Sequence, residues 1–231
     1  MHETTTAVIV AAGTGRRMNS PVKKQYMEIS GFPVLYYTIK AFEESDTDSI
    51  VIVTGSDEIE YVQREIVDRY GFGKVKSICA GGRERFDSVY AGIKEAGSDY
   101  VLIHDGVRML VTPSLINRCI DAVRGCDACV AAVPVKDTIK EAASSFISRT
   151  LDRSSLYMIQ TPQCFSTSLI LGAFEKMYAD STDRNTGITD DSMLIEEYTD
   201  HKVTIVEGDY RNIKITTSED IELAKVYLEM V

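Results

Sequence analysis

Basic residues follow a glycine turn near the start of the chain. In residues 8–26, VIVAAGTGRRMNSPVKKQY, a Val- and Ile-rich run leads through two glycines to two arginines and two lysines. No Asp or Glu occurs in residues 4–27, although the whole chain has a formal net charge of -10. Backbone N–H groups of a glycine-rich turn and basic side chains both bind phosphate oxygens. The segment therefore predicts a loop that binds a ligand with several negative charges.

Two well-known phosphate loops do not fit this segment. A dinucleotide fingerprint requires a third glycine where Met18 stands and an acid about twenty positions later, and residues 33–40 contain no acid. A Walker loop requires Gly-Lys-Ser/Thr, which is absent. The remaining interpretation is a triphosphate site, in which Arg17 donates to two phosphate oxygens as a fork and Lys24 acts as a mobile charge. The alternative is a solvated surface loop, which favours interspersed acids.

The composition is that of a globular protein. The 231 residues, 44% of them hydrophobic and 26% charged, are predicted to form a single domain, 1–231. The acidic balance argues against a nucleic-acid partner or an anionic membrane surface, since both require a broad basic face. No apolar run approaches the roughly 18 residues needed to span a membrane, and the start, MHETTT, lacks the features of a signal peptide. We therefore expect a cytoplasmic protein.

The cysteines are odd in number, five, and lack a disulfide or zinc framework. Cys126 and Cys129 form a C-x-x-C pair, which alone is compatible with a redox centre or half a metal site. Because no second pair and no nearby His accompany it, we interpret these cysteines as packing residues of a reduced protein.

Val- and Ile-rich runs alternate with helical segments, which favours an α/β fold with a largely parallel sheet. Helices are predicted where amphipathic stretches follow capping residues: Thr112 before Pro113, and Thr217 with Asp220 as a capping box for the last helix. The predicted strands are residues 7–11, 49–54, 75–79, 100–103 and 128–133, and the predicted helices are residues 34–42, 59–70 and 113–123.

Residues 136–159 interrupt this alternation. The segment, KDTIKEAASSFISRTLDRSSLYMI, is polar, rich in Ser and without apolar periodicity. Its length favours a projecting arm within the domain over a simple loop.

Seven motifs, in order along the chain, resemble those of one enzyme family. They are AAGTGRRM…KKQY, GGRERFDSV, HDGVR, PVKDTIK, TLDRSSLYMIQTPQCF, ITDDS and EGDYRNIKIT, within about residues 7–228. Together they resemble the 2-C-methyl-D-erythritol 4-phosphate cytidylyltransferases of bacterial isoprenoid synthesis, the MEP pathway. The resemblance implies a Rossmann-like nucleotidyltransferase fold, a mostly parallel sheet flanked by helices with a projecting dimerisation arm.

The family's reaction joins CTP to a polyol phosphate and releases pyrophosphate. The attacking phosphate oxygen is already ionised near neutral pH, so no general base is required. His104 is accordingly expected to be a structural residue at a strand end. Cations must instead neutralise the converging phosphates, together with Mg2+ or another divalent cation.

The resemblance also implies roles for individual residues. The implied catalytic residues are Arg17, Lys24 and Lys214. The residues implied to bind CTP are Ala11, Ala12, Gly13, Thr14, Gly15, Gly81, Gly82, Arg83, Ser88, Asp105 and Gly106. Acceptor binding falls to Asp105, Arg108, Thr138, Arg153 and Thr189, with Thr138 and Arg153 reaching a second subunit of a homodimer through the arm. Asp105 is also the candidate ligand for a metal ion that CTP phosphates mainly hold.

Two departures and two alternatives remain open at this point. Lys23 stands where the family usually has Pro, so Lys23 either substitutes for Lys24 or competes with it, and HDGVRML replaces the commoner HDAARP. Within the same fold, ribitol 5-phosphate cytidylyltransferases share the nucleotide half of the motifs. In another functional class, the chain would be a regulatory module that binds nucleotide without chemistry.

Overall fold

A computed structural model of the protein describes residues 3–13, 22–180 and 187–230. Thr14, Gly15 and Arg17, three of the predicted site residues, lie outside these ranges. The strands are β1 (Thr5–Val10), β2 (Glu28–Ile29), β3 (Phe32–Pro33), β4 (Ser49–Thr54), β5 (Val75–Ala80), β6 (Tyr100–Asp105), β7 (Ala128–Pro134), β8 (Lys140–Ala143), β9 (Phe146–Thr150), β10 (Tyr157–Ser166) and β11 (Thr204–Glu207). The helices are α1 (Val34–Glu43), α2 (Ile59–Val62), α3 (Arg85–Ala96), α4 (Pro113–Cys126), α5 (Thr167–Ala179), α6 (Asp191–Tyr198) and α7 (Ser218–Leu228).

Seven of the strands form one sheet in the order β11-β7-β10-β6-β1-β4-β5. The pairs β1–β4, β1–β6, β4–β5 and β7–β11 are parallel, and β10 alone among the described strands of this sheet runs antiparallel to both of its neighbours, β6 and β7. The predicted α/β fold with a mostly parallel sheet is confirmed. Because β1, β4, β5 and β6 are parallel, their carboxyl ends meet at one edge, where ligands bind in open α/β sheets.

Helices cover both faces of the sheet. Alternate residues of β1 divide between the layers: Ala7 and Ile9 pack with α1 and α4, whereas Val8 packs with α3, α5 and α6. This alternation follows from the period of two in a strand, and burial on both faces explains why the predicted strands read as continuous apolar runs.

The five predicted strands all occur, with bounds shifted by at most two residues. Thr112 caps α4 by accepting the N–H of Leu115, and Thr217 and Asp220 form the predicted capping box of α7. The predicted helix 59–70 is only partly α-helical, since a π-helical stretch, Gln63–Asp68, follows α2.

Strand β10 differs from the sequence interpretation. Its first three residues, Tyr157, Met158 and Ile159, pair with β7, although they fall in the segment interpreted as the arm. The part of this segment that leaves the sheet contains the hairpin of β8 and β9, which pair with each other and expose Phe146 (79%) and Ile147 (67%).

The cysteine thiols are all free. Cys119, Cys129 and Cys164 are buried in the core between α4 and the sheet, and Cys79 and Cys126 are half-buried. Within the described residues, no helix is both long and apolar enough to cross a bilayer.

Candidate active site

A cavity of about 560 Å³ lies at the carboxyl edge of the parallel strands. The end of β1, the turn after β5, the last residue of β6 and the segment before α7 surround it. Its lining residues are Val10, Ala11, Ala12, Gly13, Lys24, Gln25, Gly82, Arg83, Glu84, Arg85, Ser88, Asp105, Val107, Lys214 and Thr216. Nine of the predicted site residues are therefore brought together here, although their motifs are far apart in the sequence.

Two lysines from opposite ends of the chain line this cavity. Lys24 donates from Nζ to the carbonyl oxygen of Ile215 at 3.0 Å, so it lies beside the segment that carries Lys214. Lys214 places its Nζ 2.8 Å from Oδ2 of Asp105. Both ammonium groups can neutralise a polyanionic ligand at this position.

Asp105, the last residue of β6, is the centre of a charged cluster. Arg85 Nε donates to Oδ1 at 3.3 Å, and Arg108 Nε lies 3.8 Å from Oδ2, which Lys214 also contacts. Burial alone would raise the pKa of Asp105, but the charges of Arg85, Lys214 and Arg108 outweigh this effect and hold the pKa well below its usual range. The carboxylate is therefore ionised at neutral pH.

Arg85 is a site residue that the sequence analysis missed. Its Nη1 and Nη2 donate to Oδ1 and Oδ2 of Asp191, each at 2.8 Å, while its Nε reaches Asp105. Arg85 belongs to the motif GGRERFDSV, and Asp191 belongs to the motif ITDDS. The sequence pointed to Arg85 only in that GGRERFDSV contains a second arginine, two residues after Arg83 and at the start of α3. Arg83 itself is exposed at the rim of the cavity.

Small residues allow three strand ends to approach closely. A Cβ on Gly81 would stand 2.5 Å from the Cβ of Ala12 and 2.7 Å from Oγ of Ser88. A Cβ on Gly106 would stand 3.1 Å from the Cβ of Ala11. Ser88 Oγ accepts the N–H of Gly82 at 3.1 Å and so fixes the turn after β5 against α3. A side chain at Gly81 or Gly106 would therefore force these neighbours to move.

Gln25, also missed, holds the start of the glycine turn. Its Nε2 donates to the carbonyl oxygens of Ala11 at 2.8 Å and Gly13 at 3.2 Å, and the residue is 1% exposed. Because two carbonyls accept from one amide, their peptide groups are fixed in orientation.

His104 is a structural residue, as expected. It is 0% exposed, and burial lowers its pKa to about 3, so the ring is neutral. Thr161 Oγ1 accepts the N–H of Asp105 and lies 2.9 Å from Nδ1 of His104, whose Nε2 lies 3.3 Å from the carbonyl oxygen of Arg108. The ring thereby supports the turn from Asp105 to Arg108.

Three predicted acceptor residues lie elsewhere. Thr189 lines a second cavity of about 560 Å³ between α6 and the sheet. Thr138 and Arg153 are exposed at the base of the arm, and Arg153 Nη1 donates to the carbonyl oxygen of Lys136 at 2.7 Å. Arg108 is next to the first cavity and donates from Nη1 to the carbonyl oxygen of Asn212 at 2.8 Å.

The fold and the cationic cavity define a nucleotidyltransferase. A family model described as IspD, 2-C-methyl-D-erythritol 4-phosphate cytidylyltransferase, matches residues 5–230. A protein with that description from Lachnospira eligens is 47% identical over 227 residues, 97% of this chain and 99% of the relative. Another from Caldanaerobacter subterraneus subsp. tengcongensis is 46% identical over 226 residues, 96% and 97% of the two chains.

A solved structure gives the same result. The crystal structure of 4-diphosphocytidyl-2C-methyl-D-erythritol synthase from Anaerococcus prevotii matches with a TM-score of 0.85 and 36% identity, covering 98% of this chain and 96% of the other. The chain belongs to the 2-C-methyl-D-erythritol 4-phosphate cytidylyltransferase family.

Proposed function

We propose that the first cavity is where this chain transfers the cytidylyl group of CTP to 2-C-methyl-D-erythritol 4-phosphate. A phosphate oxygen of the acceptor attacks the α-phosphorus of CTP, a new P–O bond forms, and the bond to the β-phosphate oxygen breaks. The products are 4-diphosphocytidyl-2-C-methyl-D-erythritol and pyrophosphate. The observation that carries the proposal is the convergence of Lys24, Lys214 and Arg85 on one cavity at the carboxyl edge of the sheet.

No side chain has to remove a proton. The second pKa of a phosphate monoester is about 6, so the attacking oxygen is ionised at neutral pH. The neutral, fully buried ring of His104 is unsuited to act as a base, because both of its nitrogens face protein groups.

Lys24 and Lys214 neutralise the triphosphate and stabilise the charge that accumulates as pyrophosphate leaves. Lys24 contacts a carbonyl and Lys214 contacts Asp105. Both ammonium groups lie at the cavity wall, where they can contact phosphate oxygens. Arg17, outside the described residues, is assigned the same role from its motif.

The nucleotide is held by the glycine turns. We assign Ala11, Ala12 and Gly13, with Thr14 and Gly15 beyond the described range, to the triphosphate. We assign Gly81, Gly82, Arg83, Ser88, Asp105 and Gly106 to the rest of CTP. The position of Ala11, Ala12, Gly13, Gly82, Arg83, Ser88 and Asp105 in the cavity wall supports this assignment.

A divalent cation, Mg2+ or a similar ion, fits the cavity as a partner of CTP. Asp105 offers an ionised carboxylate to the cavity, and oxygen donors from one carboxylate and several phosphates suit Mg2+. When bound, the ion neutralises phosphate charge and polarises the P–O bonds. Asp105 would hold the ion beside Lys214, whose Nζ contacts Oδ2 of the same carboxylate.

The acceptor is assigned to Arg108 and Asp105 of one subunit, with Thr189, and to Thr138 and Arg153 of a second subunit. The exposed apolar tip of the arm supports a homodimer, since Phe146 and Ile147 would be buried by a partner. Five free thiols support a reducing, cytoplasmic location.

The test is pyrophosphate release from CTP with each of two acceptors, 2-C-methyl-D-erythritol 4-phosphate and ribitol 5-phosphate. We expect turnover with the first alone, and a loss of at least about 100-fold in kcat for Lys24→Ala and Lys214→Ala. Lys40→Ala, on the exposed face of α1, is the matched control and should retain activity. CTP binding without pyrophosphate release from either acceptor would instead favour a regulatory nucleotide-binding module.

A further inference from the structure

Adjacent lysines at the end of the glycine loop point to different parts of the molecule. Lys24 lines the cavity and donates to Ile215, whereas Lys23 lies outside the lining and forms an ion pair with Glu58, Nζ to Oε1, at 2.9 Å. Lys23 is therefore compensated by a carboxylate and adds no free charge to the cavity. The role of Lys23 therefore depends on the groups that Glu58 contacts.

Glu58 lies in the turn after β4 and contacts several groups there. Its side chain is 11% exposed, and Oε2 accepts from Thr54 Oγ1 and from the Gly55 N–H, each at 3.2 Å. Tyr26 hydroxyl lies 2.8 Å from Thr54 Oγ1. Because the Thr54 proton is directed at the carboxylate, Tyr26 is the donor in this contact. Lys23 therefore contacts Glu58 directly, and Tyr26 is linked to Glu58 through Thr54.

Gln25 supplies an anchor on the neighbouring strand. It donates to the carbonyls of Ala11 and Gly13 at the end of β1, which pairs with β4. In the four consecutive residues 23–26, three side chains are thus fixed to two adjacent strand ends. The fourth, Lys24, is the one that lines the cavity with its ammonium group.

The backbone of Lys23 connects these contacts to Lys24. Lys23 precedes a single 3-10 turn, Lys24–Tyr26, with φ -63° and ψ 139°. This φ is the value that a proline ring imposes, about -65°. A lysine is not confined to this φ as a proline is; here its side chain is paired with Glu58 and its carbonyl accepts the Tyr26 N–H at 2.9 Å. Among the described residues, the Lys23 N–H has no hydrogen-bond partner that a proline would remove.

We infer that Lys23 is a positioning residue for Lys24: its ion pair with Glu58 holds the backbone in a proline-like conformation that aims Lys24 at the triphosphate. The inference rests on the proposed role of Lys24. Displacement of a catalytic group by about 1 Å can cost 100-fold in rate, so a loosened turn is expected to lower kcat more than it changes the fold.

The test compares Lys23→Met with Lys23→Pro. Both variants lose the ion pair with Glu58, but only proline imposes φ on the backbone. We expect kcat to fall about 10-fold or more in Lys23→Met and to recover mostly in Lys23→Pro, with the KM for the acceptor unchanged in both. Glu58→Gln should reproduce the loss seen in Lys23→Met, and Lys40→Met, which removes an exposed lysine that pairs with Glu44, should leave kcat unchanged.

Thermal unfolding of each variant separates loss of function from loss of fold. Wild-type kcat in a folded Lys23→Met, or equal impairment of Lys23→Met and Lys23→Pro, would overturn the inference. Lys24→Ala is measured in parallel. If it is inactive while Lys23→Met is normal, only the positioning role fails. If Lys24→Ala is active, the proposed function of Lys24 fails first.

Discussion

Arg85 and Asp191, 106 positions apart, meet in a two-point contact in which both guanidinium Nη atoms donate to the two carboxylate oxygens at 2.8 Å. Asp191 is 1% exposed and begins α6, while the Nε of Arg85 continues to Asp105 at the end of β6. One planar guanidinium therefore fixes α6 and β6 relative to each other. Such bidentate pairs are more directional than single contacts.

Asp191→Asn is expected to weaken both stability and turnover. The amide keeps one oxygen acceptor but places an NH2 group against the guanidinium, so Arg85 loses half of its contact. Removing one partner of a buried ion pair costs about 3–5 kcal/mol, and we expect a fall of about 3 kcal/mol in the free energy of unfolding, measured by urea denaturation. Asp200→Asn, exposed just after α6, is the control. Wild-type stability in Asp191→Asn would contradict the assignment.

Gly81→Ala is expected to raise the KM for CTP at least about 10-fold. The new methyl group would collide with Ala12 and Ser88, at 2.5 and 2.7 Å, and push the end of β1 away from α3. Steady-state kinetics with varied CTP measures the effect. The matched control is Gly125→Ala in α4, where no atom lies within 4 Å of the added Cβ. That change should stabilise the protein by up to about 1 kcal/mol, because alanine favours helices.

His104 is expected to limit stability in acid. Its folded pKa is about 3, below the ordinary value of 6.5, so the unfolded chain binds more protons between these values. The contribution of the neutral, buried His104 ring to the free energy of unfolding is complete above pH 6.5. This contribution is lost as the pH falls toward 3, at about 1.4 kcal/mol per pH unit. We expect wild-type protein to lose about 2 kcal/mol more than His104→Asn between pH 6.5 and 5. Equal losses in urea titrations at the two pH values would refute this.

Replacing Phe146 and Ile147 together by serine is expected to give a monomer with little activity. Both side chains are exposed on the arm, and under the dimer proposal a partner covers them. Light scattering measures the mass, and pyrophosphate release from the same sample measures turnover. Ser145→Ala, in the turn of the same hairpin, should change neither. An active monomer would show that Thr138 and Arg153 are not needed from a second subunit.

Sequence reasoning found the strands whose residues are apolar on both faces and missed β10. That strand contains Gln160, Thr161 and Gln163, which are buried and hydrogen-bond to Asp209, Asp105 and Asp191, respectively. Gln163 Oε1, for example, accepts the N–H groups of Asp191 and Ser192. Polar residues in a central strand carry no periodic signal, since their partners lie elsewhere in the chain.

A similar limit applies to the candidate site residues. Lys24 was predicted from the acid-free basic run after the glycine turn, whereas Lys214 and the site role of Asp105 were implied by the family resemblance. Arg85 was missed because its function depends on Asp191, which is distant in sequence. The sequence also did not show that Lys23 and Lys24 contact different parts of the molecule. Lys23 pairs with Glu58 and Lys24 donates to the carbonyl of Ile215, and neither partner is next to them in the chain.

The hairpin of β8 and β9 leaves the sheet and returns to it at neighbouring points. Val135 donates to the carbonyl of Leu156 at 3.0 Å, and Pro134 pairs with Tyr157. An insertion with adjacent ends changes length at little entropic cost and leaves the register of the flanking strands intact. A change in the length of this hairpin would therefore leave the pairing of β7 with β10 undisturbed, so the arm and the sheet can be altered separately.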